Sequence, residues 1–183
     1  MIVEKTHIKG LLIITPTVFE DDRGYFFESY NKYSFKKETD LDINFVQDNE
    51  SKSSYGTLRG LHYQTGDFAQ AKLVRVLSGN VLDIAVDIRE GSPTYGQYFS
   101  IELSDLNKKQ LFIPRGFAHG FVVLSEIAIF SYKCDNFYNK KSEGGIIYND
   151  STINIDWKIP ETKYILSEKD KSNPELGNHI KFF

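Results

Sequence analysis

The chain has little sulfur and no excess of positive charge. Its 183 residues include one cysteine, one methionine and 22 basic side chains against 25 acidic ones. The single Cys134 excludes an intrachain disulfide and favours a reducing compartment. No apolar run approaches the roughly 20 residues that a membrane helix needs, and residues 1–5 lack the charged-then-apolar order of a signal peptide. These absences predict a cytoplasmic protein that binds neither membranes nor nucleic acid.

The composition that remains suits one globular domain. A chain of this length with 40% hydrophobic and 14% aromatic residues can build a single core. We therefore expect one domain over residues 1–183, with a C-terminal tail from about residue 161.

Alternation of apolar and polar residues dominates the middle of the chain. Leu82, Ile84 and Val86 share one face of a strand over residues 81–88, and Asp83 lies on the other face. Further strands are predicted at residues 11–14, 45–49, 72–77, 98–103, 110–113, 118–123 and 127–133. This spacing predicts an all-β jelly-roll barrel or sandwich, with short peripheral helices at residues 30–39 and after Ser167.

Two glycine-punctuated stretches each carry one histidine. His62 lies in residues 56–64 and His119 in residues 114–121. The spacing of these two stretches resembles that of the two half-motifs of a cupin barrel. A metal-binding cupin would have a second histidine at Gln64 and a carboxylate at Lys72. Two histidines seldom hold a metal alone, and an ammonium group repels a dication. The pattern predicts a barrel without a metal that carries out proton transfer.

Each histidine also has a purely structural interpretation. Strict alternation cannot place Arg59, His62 and Gln64 on one face, so we expect a bend or bulge at Gly60. A polar cluster inside a barrel is costly unless it meets a ligand, which favours a functional His62. His119 is either a core histidine bonded to Asp83 or a second polar group of the same pocket.

Other polar residues leave similar alternatives open. Tyr132 is a core or rim aromatic, or a general acid that faces a histidine base. Tyr138, beyond the end of its strand, can stack on a flat ring. Asp170 is typical of a solvated carboxylate at a helix start, and only the fold can bring it to a histidine. Arg23 forms a surface ion pair or binds phosphate.

Taken in order along the chain, the motifs resemble those of the dTDP-4-dehydrorhamnose 3,5-epimerase family, which are metal-free cupin enzymes. The matching stretches are residues 22–29, 45–49, 58–64, 72–76, 83–89, 92–96, 113–121, 132–133, 138, 143, 149–150 and 166–170. The resemblance covers nearly the whole chain and is far more specific than the cupin half-motifs alone.

The resemblance implies a role for each matching position. It implies that His62 is the base with Asp170 as its partner, and that Tyr132 is the acid on the opposite face of the sugar. It also implies that Lys72 lies near the C4 carbonyl oxygen. The positions that it implies for substrate binding are Arg23, Glu28, Gln47, Asn49, Arg59, His119, Tyr138, Glu143 and Lys169.

The expected reaction is therefore epimerisation at C3 and C5 of dTDP-4-dehydro-6-deoxy-D-glucose, without a cofactor. A related 3- or 5-epimerase, or a ketoisomerase, would use the same acid and base. A non-catalytic nucleotide-sugar-binding barrel would need Arg23, Arg59 and Tyr138 but not the acid–base pair. The family forms homodimers with an N-terminal segment that reaches the partner, and we expect the apolar residues 8–14 to join a neighbour's sheet edge.

Overall fold

The computed structural model describes residues 1–182 and contains two antiparallel sheets. The strands are β1 (Ile2–Lys5), β2 (Leu12–Thr15), β3 (Phe19–Asp21), β4 (Gly24–Phe26), β5 (Gln47–Ser54), β6 (Leu58–Gln64), β7 (Lys72–Ser78), β8 (Asn80–Asp87), β9 (Tyr98–Ser104), β10 (Gln110–Ile113), β11 (Phe117–Val123), β12 (Ile127–Cys134) and β13 (Glu143–Gly145), and the α-helices are α1 (Lys32–Thr39) and α2 (Glu168–Lys171). One sheet has the order β1-β2-β10-β7-β12-β5 and the other β13-β6-β11-β8-β9, while β3 and β4 form a separate hairpin. The expected all-β fold with short peripheral helices is confirmed.

The main core lies between the two sheets. Phe130 and Val74 of the six-stranded sheet meet Phe121 and Ala85 of the five-stranded sheet. The rings of Phe121 and Phe130 stack with their centroids 4.3 Å apart. Burial of these aromatic and branched side chains holds the sheets face to face.

Strand β8 shows how the alternating sequence produces this arrangement. Leu82 and Ile84 pack on the outer side of their sheet, whereas Val81 and Ala85 point into the core between the sheets. The predicted division into two faces is confirmed. Because both faces are buried, Asp83 is fully enclosed and needs a polar partner inside the protein.

The outer side of each sheet is covered by a different segment. Helix α1 lays Phe35 against Phe112 of the six-stranded sheet, with ring centroids 5.5 Å apart. Trp157 and Ile153, from the chain after β13, cover the five-stranded sheet. Helix α1 starts two residues later than predicted because Asn31 is its extended N-cap, and its side chain accepts a hydrogen bond from the backbone N of Ser34 at 3.1 Å.

Strand β5 begins and ends later than the sequence predicts. We expected residues 45–49, but the strand runs over Gln47–Ser54 and pairs along its whole length with β12. Every residue in it is polar, so no apolar alternation marks it in the sequence. Tertiary pairing and not hydrophobic pattern defines this strand.

Residues 8–14, which we expect to join a neighbour's sheet edge, are paired and packed within their own chain. Strand β2 is hydrogen-bonded to β1 on one side and to β10 on the other, so it has no free edge. Ile8 and Leu11 are fully buried in the core between the sheets. Their apolar character therefore serves packing within the chain.

The C-terminal tail packs against the five-stranded sheet. Ile165 exchanges backbone hydrogen bonds with Gly56 and Leu58 at 2.9 and 3.0 Å. Further along, the backbone N of Leu176 donates to the buried carboxylate of Asp150 at 2.7 Å. Within residues 1–182 we find no helix with the length and apolar character required to cross a bilayer.

Strands β6 and β11 approach closely at a pair of glycines. Gly60 has a φ of +134°, and a Cβ there would lie 2.6 Å from the Cα of Gly120. The pairing register of the two strands shifts at this point, between His119 and Phe121. The irregularity expected at Gly60 is therefore present, and it requires glycine for both its backbone angle and its space.

We expect Gly60→Ala to lower the free energy of unfolding more than Gly177→Ala does. Gly177 also has a positive φ, of +96°, but nothing lies within 4 Å of the position that a Cβ would take there. The extra loss at Gly60 should be about 1–3 kcal/mol, the usual cost of overpacking. Urea unfolding of both variants measures it, and equal losses would mean that the close approach has no energetic importance.

Candidate active site

A cavity of about 640 Å³ opens between the two sheets. Its wall contains side chains from both sheets and from helix α2. The residues that matter for its chemistry are Asn49, Ser51, Arg59, His62, Lys72, His119, Tyr132, Lys169 and Asp170. A second cavity of about 290 Å³ shares Asn49, His62, Lys72 and Tyr132 with it and adds Gln47, Tyr138 and Glu143.

His62 and Asp170 form a hydrogen-bonded pair in this cavity. The Nε2 atom of His62, on β6, lies 2.6 Å from Oδ1 of Asp170, on α2. The Ser167 hydroxyl donates to the other carboxylate oxygen at 2.7 Å. Burial raises the pKa of Asp170, but the hydrogen bonds from His62 and Ser167 outweigh it and leave that pKa below its ordinary value. Asp170 is therefore an ionised partner for the imidazole at neutral pH.

His119 forms a second, deeper pair with Asp83. Its Nε2 atom lies 2.9 and 3.1 Å from the two carboxylate oxygens of Asp83, and both side chains are buried. Burial raises the pKa of Asp83 and lowers the pKa of His119, while each group counteracts the shift of the other. Both interpretations of His119 thus apply, since it is a satisfied core histidine that also lines the cavity.

The strand register places the two histidines side by side. His119 of β11 is the direct cross-strand partner of His62 of β6. On its other side His119 pairs with Ala85 of β8, which shares the inner face of that strand with Asp83. The chain positions that were separated by more than fifty residues therefore meet through sheet pairing.

Lys72 and Tyr132 occupy the opposite wall. The Nζ atom of Lys72, on β7, lies 5.7 Å from the centre of the Tyr132 ring, on β12. Burial lowers the pKa of Lys72 below its ordinary value, and the negative charges of Asp83 and Glu143 only partly oppose this shift. Burial raises the pKa of Tyr132, so its hydroxyl keeps its proton at neutral pH. The cavity thus sets a lysine and a phenol opposite an imidazole.

The mouth of the cavity carries an exposed aromatic ring and an ion pair. The Tyr138 hydroxyl donates to Glu143 at 3.3 Å, and Glu143 pairs with Lys169 of α2. Oε1 of Gln47 accepts a hydrogen bond from the backbone N of Tyr138 at 3.1 Å. These contacts join β5, β13 and α2 around the opening.

Arg23 and Glu28 do not reach the cavity of their own chain. Arg23 lies in the turn of the β3–β4 hairpin, where it is exposed and pairs with Asp21 at 2.6 Å. Glu28 accepts a hydrogen bond from the side chain of Asn31 at 3.0 Å, next to α1. The other eleven predicted site residues line the two adjoining cavities.

The donor set in the cavity does not suit a metal ion. In the part of the chain that the structure describes, no three His, Cys, Asp or Glu side chains gather as a metal site. The Gln64 side chain already has hydrogen-bond partners within the protein. Its amide donates to the carbonyl of Phe68 at 2.9 Å and accepts from the backbone N of Asn139 at 2.6 Å. Lys72 lines the same cavity in place of the carboxylate that a metal-binding cupin would have.

Sequence reasoning missed several groups that shape the site. The sequence pattern predicts Ser167 only as an N-cap and does not mark Ser51 or Ser53. The inward side of the polar strand β5 holds both serines, and period-two counting from Gln47 and Asn49 would have found them. Asp83 was noted as a partner for His119, and that contact is confirmed.

Comparison with known proteins identifies the family of the chain. The family model described as dTDP-4-dehydrorhamnose 3,5-epimerase matches residues 5–178. The chain is 54% identical to the Salmonella typhimurium dTDP-4-dehydrorhamnose 3,5-epimerase over 183 residues, which covers 98% of each chain.

Two solved structures are similar over nearly the full length. The dTDP-4-dehydrorhamnose 3,5-epimerase of Elizabethkingia anophelis is 60% identical with a TM-score of 0.93, covering 99% of this chain and 98% of the other. A dTDP-6-deoxy-D-glucose-3,5-epimerase of Legionella pneumophila, solved with dTDP-4-keto-L-rhamnose, is 47% identical with a TM-score of 0.93, covering 96% and 93%. The chain belongs to the dTDP-4-dehydrorhamnose 3,5-epimerase family.

Proposed function

We propose that this chain epimerises C3 and C5 of dTDP-4-dehydro-6-deoxy-D-glucose to give dTDP-4-dehydro-L-rhamnose. The observation that carries the proposal is the His62–Asp170 pair at 2.6 Å in a cavity that Lys72 and Tyr132 also line. A base with an ionised partner, a protonated phenol and a cation are the groups that proton exchange next to a ketone needs.

The base in this proposal is the Nδ1 atom of His62. Because Nε2 lies against the Asp170 carboxylate, the imidazole carries its proton on Nε2 and keeps a free electron pair on Nδ1. The C4 ketone acidifies the hydrogens at C3 and C5, and Nδ1 removes one of them to leave an enolate. Asp170 then stabilises the imidazolium that forms.

Lys72 and Tyr132 complete each inversion. The ammonium group of Lys72 stabilises the negative charge that develops on the C4 oxygen. Tyr132 donates its proton to the carbon from the opposite face of the ring, and the centre is inverted. Solvent water then takes the proton from His62 and returns one to Tyr132, and a second round at the other carbon gives the product. The ketone is the electron sink, so the scheme requires no cofactor.

The remaining cavity residues hold the nucleotide-sugar in this proposal. Arg59 and Lys169 provide positive charge for the diphosphate, and His119 binds the sugar. The exposed Tyr138 ring stacks on thymine. Gln47, Asn49 and Glu143 supply the polar contacts between these two ends.

We further infer that the chain works as a homodimer. The β3–β4 hairpin exposes Phe19, Tyr25 and Phe26 by 63%, 55% and 68%. An apolar patch of this kind marks an interaction site, and a symmetric second copy is the commonest occupant. In such a dimer, Arg23 and Glu28 bind substrate in the cavity of the partner.

We also infer that the protein is a single domain with a cytoplasmic location. Residues 1–183 form one catalytic domain whose C-terminal tail supplies Lys169 and Asp170. The single Cys134 is buried and reduced, which agrees with a cytoplasmic location.

The first prediction concerns Asp170. Asp170→Asn should lower kcat by about 10²-fold or more, because an amide can neither stabilise the imidazolium nor fix the tautomer of His62. The exposed Glu168→Gln on the same helix is the matched control and should keep wild-type kcat. The assay follows NADPH oxidation by a downstream reductase, and equal rates for the two variants would exclude the pair as the catalytic base.

The second prediction separates the base from the acid. In deuterated water, proton NMR of the wild-type reaction should show exchange at both C3 and C5, whereas exchange at one carbon would indicate a single-site epimerase.

His62→Ala should lose both exchange and inversion, by about 10²–10⁴-fold. Tyr132→Phe should lose inversion but retain part of the exchange, because His62 still removes the proton. The controls are His7→Ala and Tyr55→Phe, and an equal loss of exchange and inversion in Tyr132→Phe would exclude it as the acid.

The third prediction tests whether Arg23 acts across a dimer. Light scattering should give about twice the 21.1 kDa mass of the chain. The Arg23→Ala variant and the His62→Ala variant should each have low activity alone. A mixed dimer of one subunit of each should regain activity, because one of its two cavities then has an intact His62 and an intact Arg23 from the partner. A monomer mass, or no recovery after subunit exchange, would contradict the dimeric site.

A further inference from the structure

The inward side of strand β5 is polar, and Asn49 and Ser51 on that side line the cavity. Gln47, Asn49, Ser51 and Ser53 occupy alternate positions, and each is more buried than the residue that follows it. Ser53 is the most enclosed of them, with 8% of its surface exposed. An interior strand face normally carries apolar side chains, so a hydroxyl at this depth needs a polar partner.

That partner is Arg59. The Nε and Nη2 atoms of Arg59 donate hydrogen bonds to Oγ of Ser53 at 3.3 and 3.2 Å. Ser53 belongs to the six-stranded sheet and Arg59 to the five-stranded sheet, so these bonds link the two sheets. Among residues 1–182, Arg59 has no carboxylate partner that would neutralise its charge.

The geometry of the guanidinium decides which of its donors remain free. Arginine has five N–H donors in a planar fork. Ser53 takes the edge formed by Nε and Nη2, which leaves the Nη1–Nη2 end with donors that point away from the serine. This end can still bind two oxygens of a phosphate at once.

We propose that Ser53 is a positioning residue that holds the Arg59 guanidinium ready for the phosphate groups of the nucleotide-sugar. The inference rests on the proposed function, because it assumes a nucleoside diphosphate in the cavity. Arg59 is exposed to the cavity, and a free arginine side chain loses rotamer entropy when it binds. The buried hydroxyl removes that loss in advance.

The test measures the affinity for dTDP by isothermal titration calorimetry. Ser53→Ala should weaken dTDP binding roughly 3- to 10-fold, the range expected for ordering one flexible side chain. Ser54→Ala, the exposed next residue of the same strand, is the control and should bind like wild type. Ser53→Thr and Ser53→Val form an isosteric pair that differs in the hydroxyl group, and only the threonine variant should retain wild-type affinity.

A double-mutant cycle distinguishes positioning from a general structural effect. In an Arg59→Ala background, Ser53→Ala should change the dTDP affinity by less than about twofold, because the serine acts through the arginine. Equal weakening with and without Arg59 would overturn the proposal, as would wild-type affinity in Ser53→Ala and Ser53→Val. If the wild-type protein did not bind dTDP, the proposed function itself would fail, which is a different result from failure of the serine variants alone.

Discussion

The close approach of Gly60 to Gly120 is the constraint on which the site depends. It lets β6 and β11 pair with a shifted register, and that register puts His62 directly opposite His119. One residue of slip would turn His62 to the outer face of the sheet, where apolar side chains pack. Each histidine then has a carboxylate from a different element, Asp170 from α2 and Asp83 from β8. The glycine contact thus fixes the positions of both histidines before any ligand binds.

The sequence pattern predicts those parts of the fold that depend on neighbouring residues in the chain. The division of β8 into a face with Leu82 and a face with Asp83 follows from alternation, and so do most strands of the two sheets. Strand β5 could not be placed correctly by the same rule, because all eight of its residues are polar. It is a strand because β12 supplies its hydrogen-bonding partners, and a single sequence does not record that pairing.

The same distinction applies to the site. Gln64 and Lys72, which stand where a metal-binding cupin would have ligands, predict proton-transfer chemistry from local residue identity. The contact between His62 and Asp170 depends on where the C-terminal tail crosses β6, and the backbone bonds of Ile165 to Gly56 and Leu58 set that crossing. Arg23 shows the opposite case, since its motif resembles a substrate-binding position but its own chain keeps it away from the cavity. In the proposed dimer the cavity that Arg23 serves belongs to the partner, and the fold of one chain does not contain that contact.

The polar interior has an energetic consequence for the rest of the molecule. Asp83, His119 and Lys72 replace apolar contacts between the sheets, and even paired buried charges contribute little net stability. The stability must therefore come from elsewhere, and both sheets carry additional apolar clusters on their outer sides, under α1 and under the C-terminal tail. The tail is thus required twice, because it buries the outer face of β8 and also supplies Asp170. A variant that loosens the tail, for instance at Asp150, should lose stability and the orientation of His62 together, whereas a change in α1 should affect stability alone.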